Sequence, residues 1–220
     1  MAPFGTIYSY PNNPRVGKVL AVANLNNLEI EVPPFQMGVT NRTPEFLAKF
    51  PMGKVPAFSA ADGTNIFESD AIAQFVAESG PAAGQLVGST PAERAVIRQW
   101  IAMADNEIGL NIVLLVLPRI GVSKFDEATE AAALERLERG LACLDKHLAG
   151  STWLAPQEKL SLADITLAAA LSWGYAMIID AEMRAKYPAL LAWYKKTMDS
   201  EGVKGAFGEL KFIEKREIPQ

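Results

Sequence analysis

Two short runs in the first third of the chain hold residues able to grip a small charged ligand. They are Lys54-Val55-Pro56-Ala57-Phe58 and Phe67-Glu68-Ser69-Asp70-Ala71-Ile72. A backbone turning at a cis Pro56 would present the N–H and C=O of Val55 to an extended peptide, in the manner of strand addition. Ser69 stands where an apolar helical pattern begins (Ile72, Phe75, Val76), and a helix start offers free N–H groups to a carboxylate. Glu68 beside it would meet an ammonium group. Together these groups suit a small zwitterionic peptide. Each also has a plainer reading, with Pro56 as a strand-edge proline and Ser69 as an ordinary N-cap.

The flanking residues say what must position them. Val55 to Phe58 enters a strand, Asp62-Gly63 marks a hairpin turn, and Asn65-Ile66-Phe67 is the return strand. Upstream, Gly5 to Ser9 is β-prone. Asn13 caps a helix over Arg15 to Asn24 with Pro14 in its first turn, and Leu28 to Val32 alternates as a strand. Thr43-Pro44-Glu45 opens a short helix carrying Phe46, Leu47 and Phe50. The order β-α-β-α-β-β-α implies a right-handed crossover, parallel pairing and a later antiparallel hairpin, giving a four-stranded mixed sheet.

Gly80 to Gly88 breaks the composition and reads as a linker, so the expected division is 1–80, a linker at 81–88, and 89–220. The remainder is all helix. Thr90-Pro91-Ala92-Glu93 and Ser161-Leu162-Ala163-Asp164 are capping boxes. The first helix carries the stripe Ile97, Ile101, Ala104, Ile108 and is expected to end before Pro118. Asp126 opens the next, with Leu134, Leu137, Leu141, Leu144 and Leu148 on one face. The helix after Ser161 is apolar nearly all round and should be the buried centre. Asp164 serves its cap rather than catalysis. Pro188 to Met198 is a further amphipathic helix, and the charged segment from Leu210 to Gln220 is expected to pack through Leu210 and Phe212.

Composition narrows the function classes. The net charge is −4 and adjacent basic residues occur only as the pairs Lys195-Lys196 and Lys215-Arg216, which gives no nucleic-acid surface. One Cys and one His leave no zinc site of the usual kind and no disulfide framework, so no metal is expected and a reducing, cytoplasmic setting is. Cys143 and His147 fall in one helical pattern, with Cys143 expected to be packed or inert and His147 a structural or surface residue. The run Ile112 to Leu117 is far short of the roughly 18 apolar residues of a membrane span. Met1 to Gly5 lacks the features of a signal peptide.

The layout, together with Lys54 to Phe58, Phe67 to Ile72 and Ser161-Leu162-Ala163-Asp164-Ile165, resembles the glutathione transferases over essentially the whole chain. The resemblance implies a thioredoxin-like N-terminal domain followed by an all-helical one. Within that family, Gly88-Ser89-Thr90-Pro91, the run Gln99 to Ile108 and Phe207 to Lys211 are similar to the transferase-like N-terminal half of the gamma subunit of translation elongation factor one. What it implies about the site is specific. Val55, ahead of a cis Pro56, would pair with the cysteinyl unit of glutathione, Glu68 and Ser69 would hold its γ-glutamyl end, and Lys54 would approach its glycyl carboxylate.

A thiol whose pKa falls from roughly 8.5 to roughly 6.5 goes from a few per cent thiolate at neutral pH to about three quarters. The family places a Tyr, Ser or Cys to do this; alignment on Pro11 puts Asn13 there. Its amide could donate to a thiolate, with Arg15 adding charge, while Ser9 and Tyr10 remain rivals. Leu110, Leu114, Arg119 and Trp173 are the corresponding candidates for a pocket taking a hydrophobic electrophile. The resemblance further implies a homodimer. The activity it implies is glutathione conjugation or glutathione-dependent peroxide reduction; the alternative is a scaffold module assembling with translation elongation factor subunits.

Overall fold

In the computed structural model, which describes residues 2–219, strands β1 (Gly5–Tyr8), β2 (Ile30–Glu31), β3 (Ala57–Ala60) and β4 (Asn65–Phe67) form one sheet in the order β2-β1-β3-β4. β1 pairs parallel with β2 and antiparallel with β3, which pairs antiparallel with β4. The mixed sheet is the one the element order implies. β2 is shorter than the alternation Leu28 to Val32 suggests. Only Gly5↔Ile30 and Thr6↔Glu31 are in register, Val32 is exposed, and the prolines at 33 and 34 have no N–H to continue a ladder.

Helix α1 (Pro14–Leu25) is capped by Asn13, whose side chain accepts from the Arg15 N–H, and α2 (Pro44–Lys49) is capped by Thr43 accepting from Phe46. α3 (Ser69–Glu78) corrects one expectation. Ser69 is its first helical residue rather than its cap; Glu68 holds the cap position, with φ 72° and no side-chain cap hydrogen bond. The stretch at 81–88 contains a short helix, α4 (Ala83–Val87). Buried Asn26, at the end of α1, donates to the carbonyls of Val76 and Ala77 and accepts from the Ala82 N–H, joining α1 to the exit of α3.

The helical part opens with α5 (Pro91–Met103) behind the Thr90–Glu93 capping box. It continues through a π segment (Ala104–Gly109) into α6 (Leu110–Arg119), making one rod of 29 residues. Contrary to expectation the rod runs through Pro118. A proline in the last turn forfeits one hydrogen bond where the helix is ending anyway. The rod is long and apolar enough to cross a membrane by length and composition, but Ile97, Ile101, Ile108, Ile112 and Leu115 spend that character on the protein core. Then come α7 (Glu127–Leu148), α8 (Leu162–Met177), α9 (Ala181–Ala185) and α10 (Pro188–Met198).

α8 is the buried centre, with Ile165, Leu167, Ala168 and Leu171 fully enclosed. It packs against α1, the π segment and α5, so one continuous apolar cluster runs from the sheet into the helices. His147 packs in a tilted arrangement against Trp100 and contacts the Leu154 carbonyl. Cys143, expected to be packed or inert, is exposed. The C-terminal segment is held by Phe212 against Tyr175 and Tyr194, whereas Leu210 is exposed, against expectation; Gln220 lies outside the described residues, as does Met1.

Candidate functional site

A cavity of about 910 Å³ opens between the sheet-bearing part and the helices, near the upper end of the usual range for small-molecule sites. Of the residues singled out from sequence, Asn13, Arg15, Lys54, Val55, Pro56, Glu68, Ser69, Leu110 and Trp173 line it. Ser9, Leu114 and Arg119 do not. Ser9 is buried beneath Asn13, whose amide donates to its hydroxyl at 2.9 Å. Leu114 packs against the core, because the cavity wall on this rod ends at Val113. Arg119 makes a two-point ion pair with Glu130 at 2.6 and 2.9 Å and donates to the carbonyls of Leu115 and Glu217, which is a structural assignment.

The sheet end of the cavity is built by the turn before β3 and the start of α3. The Val55–Pro56 peptide bond is cis. Lys54 and Glu68 are exposed, and Ser69 is half-buried at the helix start, where N–H groups without intrahelical partners are suited to an anion. The positive φ of Glu68 is unusual for a residue with a long side chain, and such strain costs roughly 1–3 kcal/mol. Glu68→Gly is therefore expected to raise the unfolding free energy by about 1 kcal/mol, after the entropy glycine gains in the unfolded chain is subtracted. Urea unfolding midpoints check this against Glu68→Ala, which keeps the strain and gains nothing.

Asn13 is held on both sides. Its Oδ1 accepts from the Arg15 N–H at 3.0 Å while Nδ2 donates one hydrogen to Ser9, leaving a second amide hydrogen uncommitted by these contacts. The Tyr10 hydroxyl does not line the cavity, and burial raises its pKa despite the opposing charge of Arg15, so it is not set up to ionise.

Sequence reading passed over a charged cluster in the same wall. Lys18, 2% exposed, pairs with Asp70; Arg98 lies 3.9 Å from that carboxylate, and Asp105 of the π segment lines the same cavity. Burial pushes Asp105 up to about 7, and the neighbouring Asp70 adds to the rise. Burial acts upward on Asp70 as well, yet its interaction with Asp105 and the charges of Lys18 and Arg98 hold it below the usual carboxylate range. One signal was available: Lys18 shares the buried face of α1 with Val22, an unusual place for a lysine without a partner. Among the described residues no group of three or more His, Cys, Asp or Glu is arranged to hold a metal ion.

Comparison with known proteins agrees with this architecture. Residues 3–78 match the glutathione S-transferase N-terminal domain and residues 103–201 its C-terminal domain. The chain is 50% identical over 218 residues to the glutathione S-transferase-like protein LUC7 of Fusarium sp, covering 99% of both. It is 37% identical to elongation factor 1-gamma of Carassius auratus over 96% of this chain but only 47% of that protein. The GST-like domain of elongation factor 1-gamma from Saccharomyces cerevisiae superposes with a TM-score of 0.85 over 100% of both chains at 23% identity, a likeness of fold. The chain thus belongs to the glutathione S-transferase family, with a thioredoxin-like N-terminal domain and an all-helical C-terminal domain.

Proposed function

We propose that this chain binds glutathione and directs its thiolate onto hydrophobic electrophiles, with reduction of organic peroxides as a second use of the same thiolate. The observation that carries the reading is one cavity lined both by peptide-holding groups (Val55, Glu68, Ser69) and by apolar side chains (Leu110, Trp173). Glu68 takes the γ-glutamyl ammonium, the start of α3 at Ser69 takes the neighbouring carboxylate, Val55 pairs with the cysteinyl backbone, and Lys54 neutralises the glycyl end.

The thiol proton leaves to water, and the thiolate is stabilised by the second Asn13 amide hydrogen, the N-terminus of α1 and Arg15. Its sulfur then forms the new bond as the leaving group departs from the electrophile. This is activation by preorganised dipoles and charge rather than by a general base. The thioredoxin-like part thus serves glutathione and the helical part the electrophile. The reading extends to a cytosol-like compartment and a homodimer, in which a second copy would cover Met52 and Phe67, 57% and 42% exposed; sedimentation equilibrium tests the dimer.

The chain is expected to be retained on immobilised glutathione and to lose retention in the double variant Glu68→Ala with Ser69→Ala; equal retention would sink the assignment. Bound glutathione should show thiolate absorbance at lower pH than free glutathione, and Asn13→Ala should remove most of that shift. A second reading, a non-catalytic module that assembles with translation elongation factor subunits, is favoured by the amide at Asn13 where the resemblance implies a hydroxyl or thiol, and by the elongation factor 1-gamma likeness. Retention without turnover of aryl halides or organic peroxides would select it.

A further inference from the structure

Helix α1 meets the cavity on one side and the C-terminal segment on another. Asn13, Pro14, Arg15 and Lys18 line the cavity. Gly17, Ala21 and Asn24 recur at the spacing of a separate stripe, and residues 202–207 run along it toward the helix start. Gly202 packs on Leu25, and its carbonyl accepts from Asn24 Nδ2 at 2.9 Å. About two turns nearer the N-terminus, Phe207 lies on Gly17. A Cβ there would stand 2.6 and 2.9 Å from the ring and 3.0 Å from the Ala206 carbonyl, so the ring's seat on the helix requires glycine. Gly205 and Gly208, at φ 85° and 71°, supply the left-handed backbone on either side of Ala206-Phe207.

Beyond Gly208 the same segment fastens to the helical part. Phe212 packs against Tyr175 and Tyr194, the Ile213 N–H donates to the Tyr175 carbonyl at 3.1 Å, and the Ala181 N–H donates to the Glu214 carbonyl at 3.2 Å. One strap thereby grips both walls of the cavity, and the run Phe207 to Lys211 is its crossing from α1 to α8.

We propose that Phe207 is a positioning residue for the glutathione thiolate, its ring on Gly17 backing α1 so that Asn13 and the first-turn N–H groups face the sulfur. The proposal rests on the glutathione reading. Gly17 is tied to Asn13 directly, its N–H donating to the Asn13 carbonyl at 3.1 Å. The cavity leaves the front of this turn without packing, so its support comes from behind, where the ring lies. The field of a helix end falls off within its first turn, and a hydrogen bond weakens steeply off line. A small retreat of α1 therefore costs thiolate stabilisation. Val55, Glu68 and Ser69 stand on other elements, and their hold on the peptide does not depend on the strap.

The probes are glutathione and S-methylglutathione, whose blocked sulfur cannot ionise, bound to the full chain. Phe207→Ala is expected to raise the pH of half-maximal bound-thiolate absorbance by about one unit, leaving about tenfold less thiolate below the midpoint. Its affinity for S-methylglutathione should match wild type. Gly17→Ala should displace the ring and raise the midpoint likewise, although alanine is the better helix former. The double variant should equal Phe207→Ala alone, since both changes remove one contact. An unmoved midpoint in folded Phe207→Ala, or S-methylglutathione affinity falling as far as glutathione affinity, overturns the proposal. Should the variants fail to fold, hydrogen exchange of the wild type decides. Coupling is reciprocal, so glutathione must slow the amides of residues 205–208 more than S-methylglutathione does, and equal rates overturn the role. Wild type that binds glutathione with a lowered thiol midpoint, unmoved by either variant, overturns this inference alone. Wild type that binds neither peptide overturns the glutathione reading with it.

Discussion

Asp164→Ala is expected to lower the melting temperature by about 10 °C, the largest stability loss anticipated for a single side chain outside the cavity. The Asp164 carboxylate is fully buried and accepts from the backbone N–H of Leu154 at 3.0 Å, the N–H and hydroxyl of Ser161 at 2.8 and 2.9 Å, and the Trp193 indole at 3.0 Å. It ties the start of α8 to the preceding loop and to α10. Alanine leaves two backbone donors and an indole N–H buried without an acceptor, at roughly 1–3 kcal/mol each, so about 4 kcal/mol in all. For a chain of this size that corresponds to roughly 2–4 °C per kcal/mol.

Asp164→Asn keeps Oδ1 for Leu154 and Trp193 and should lose about half as much. Burial raises the Asp164 pKa against the hydrogen bonds that lower it. A folded-state pKa raised above the unfolded value stabilises fully below the unfolded pKa and less as pH rises, so the asparagine variant should close on wild type as pH rises past the unfolded value. Calorimetric melting of both variants across pH checks size and sign.

What the sequence made legible was local. Asn13, Thr43, Thr90 and Asp126 cap the helices they were expected to cap, because capping depends on residue type within one turn. The apolar stripes of the long rod and of α8 are buried for the same reason. Where a residue's role depended on a torsion, type misled. Ser69 has cap chemistry, but the backbone turns one residue earlier, at Glu68 with φ 72°.

Where a role depended on distant pairing, nothing local signalled it. Arg119 looked free for a ligand until the chain folded Glu130 onto it, and the burial of Asp105 near Asp70 and Lys18 depends on how α1, α3 and the long rod come together. The candidate peptide-holding groups were therefore named from sequence, while the buried charge beside them was not.

That charge makes Lys18→Met the second variant with a large expected effect, about 3–5 kcal/mol of destabilisation at neutral pH. Removing one partner of a buried pair strands the other, and here it strands two carboxylates. The pH dependence distinguishes this from lost packing, which methionine largely preserves. Asp70, held below its ordinary range partly by Lys18, contributes stability above its unfolded pKa and loses it as pH falls through the depressed folded value. Without Lys18 that contribution disappears, so the gap between variant and wild type should be widest near neutrality and narrow in acid, as the pair takes up protons in both.

Asp105 acts in the opposite sense. Its contribution is complete below the unfolded pKa and is lost as pH rises to about 7, at a slope of at most about 1.4 kcal/mol per pH unit. Replacing the whole cluster together, Lys18→Met with Asp70→Leu and Asp105→Leu, should restore much of the loss, because a buried ionic group exchanged for apolar side chains of similar volume is often neutral. Urea unfolding of wild type, single and triple variants between pH 4 and 8 measures this. A Lys18→Met cost that stays constant across that range would mean the lysine contributes packing alone.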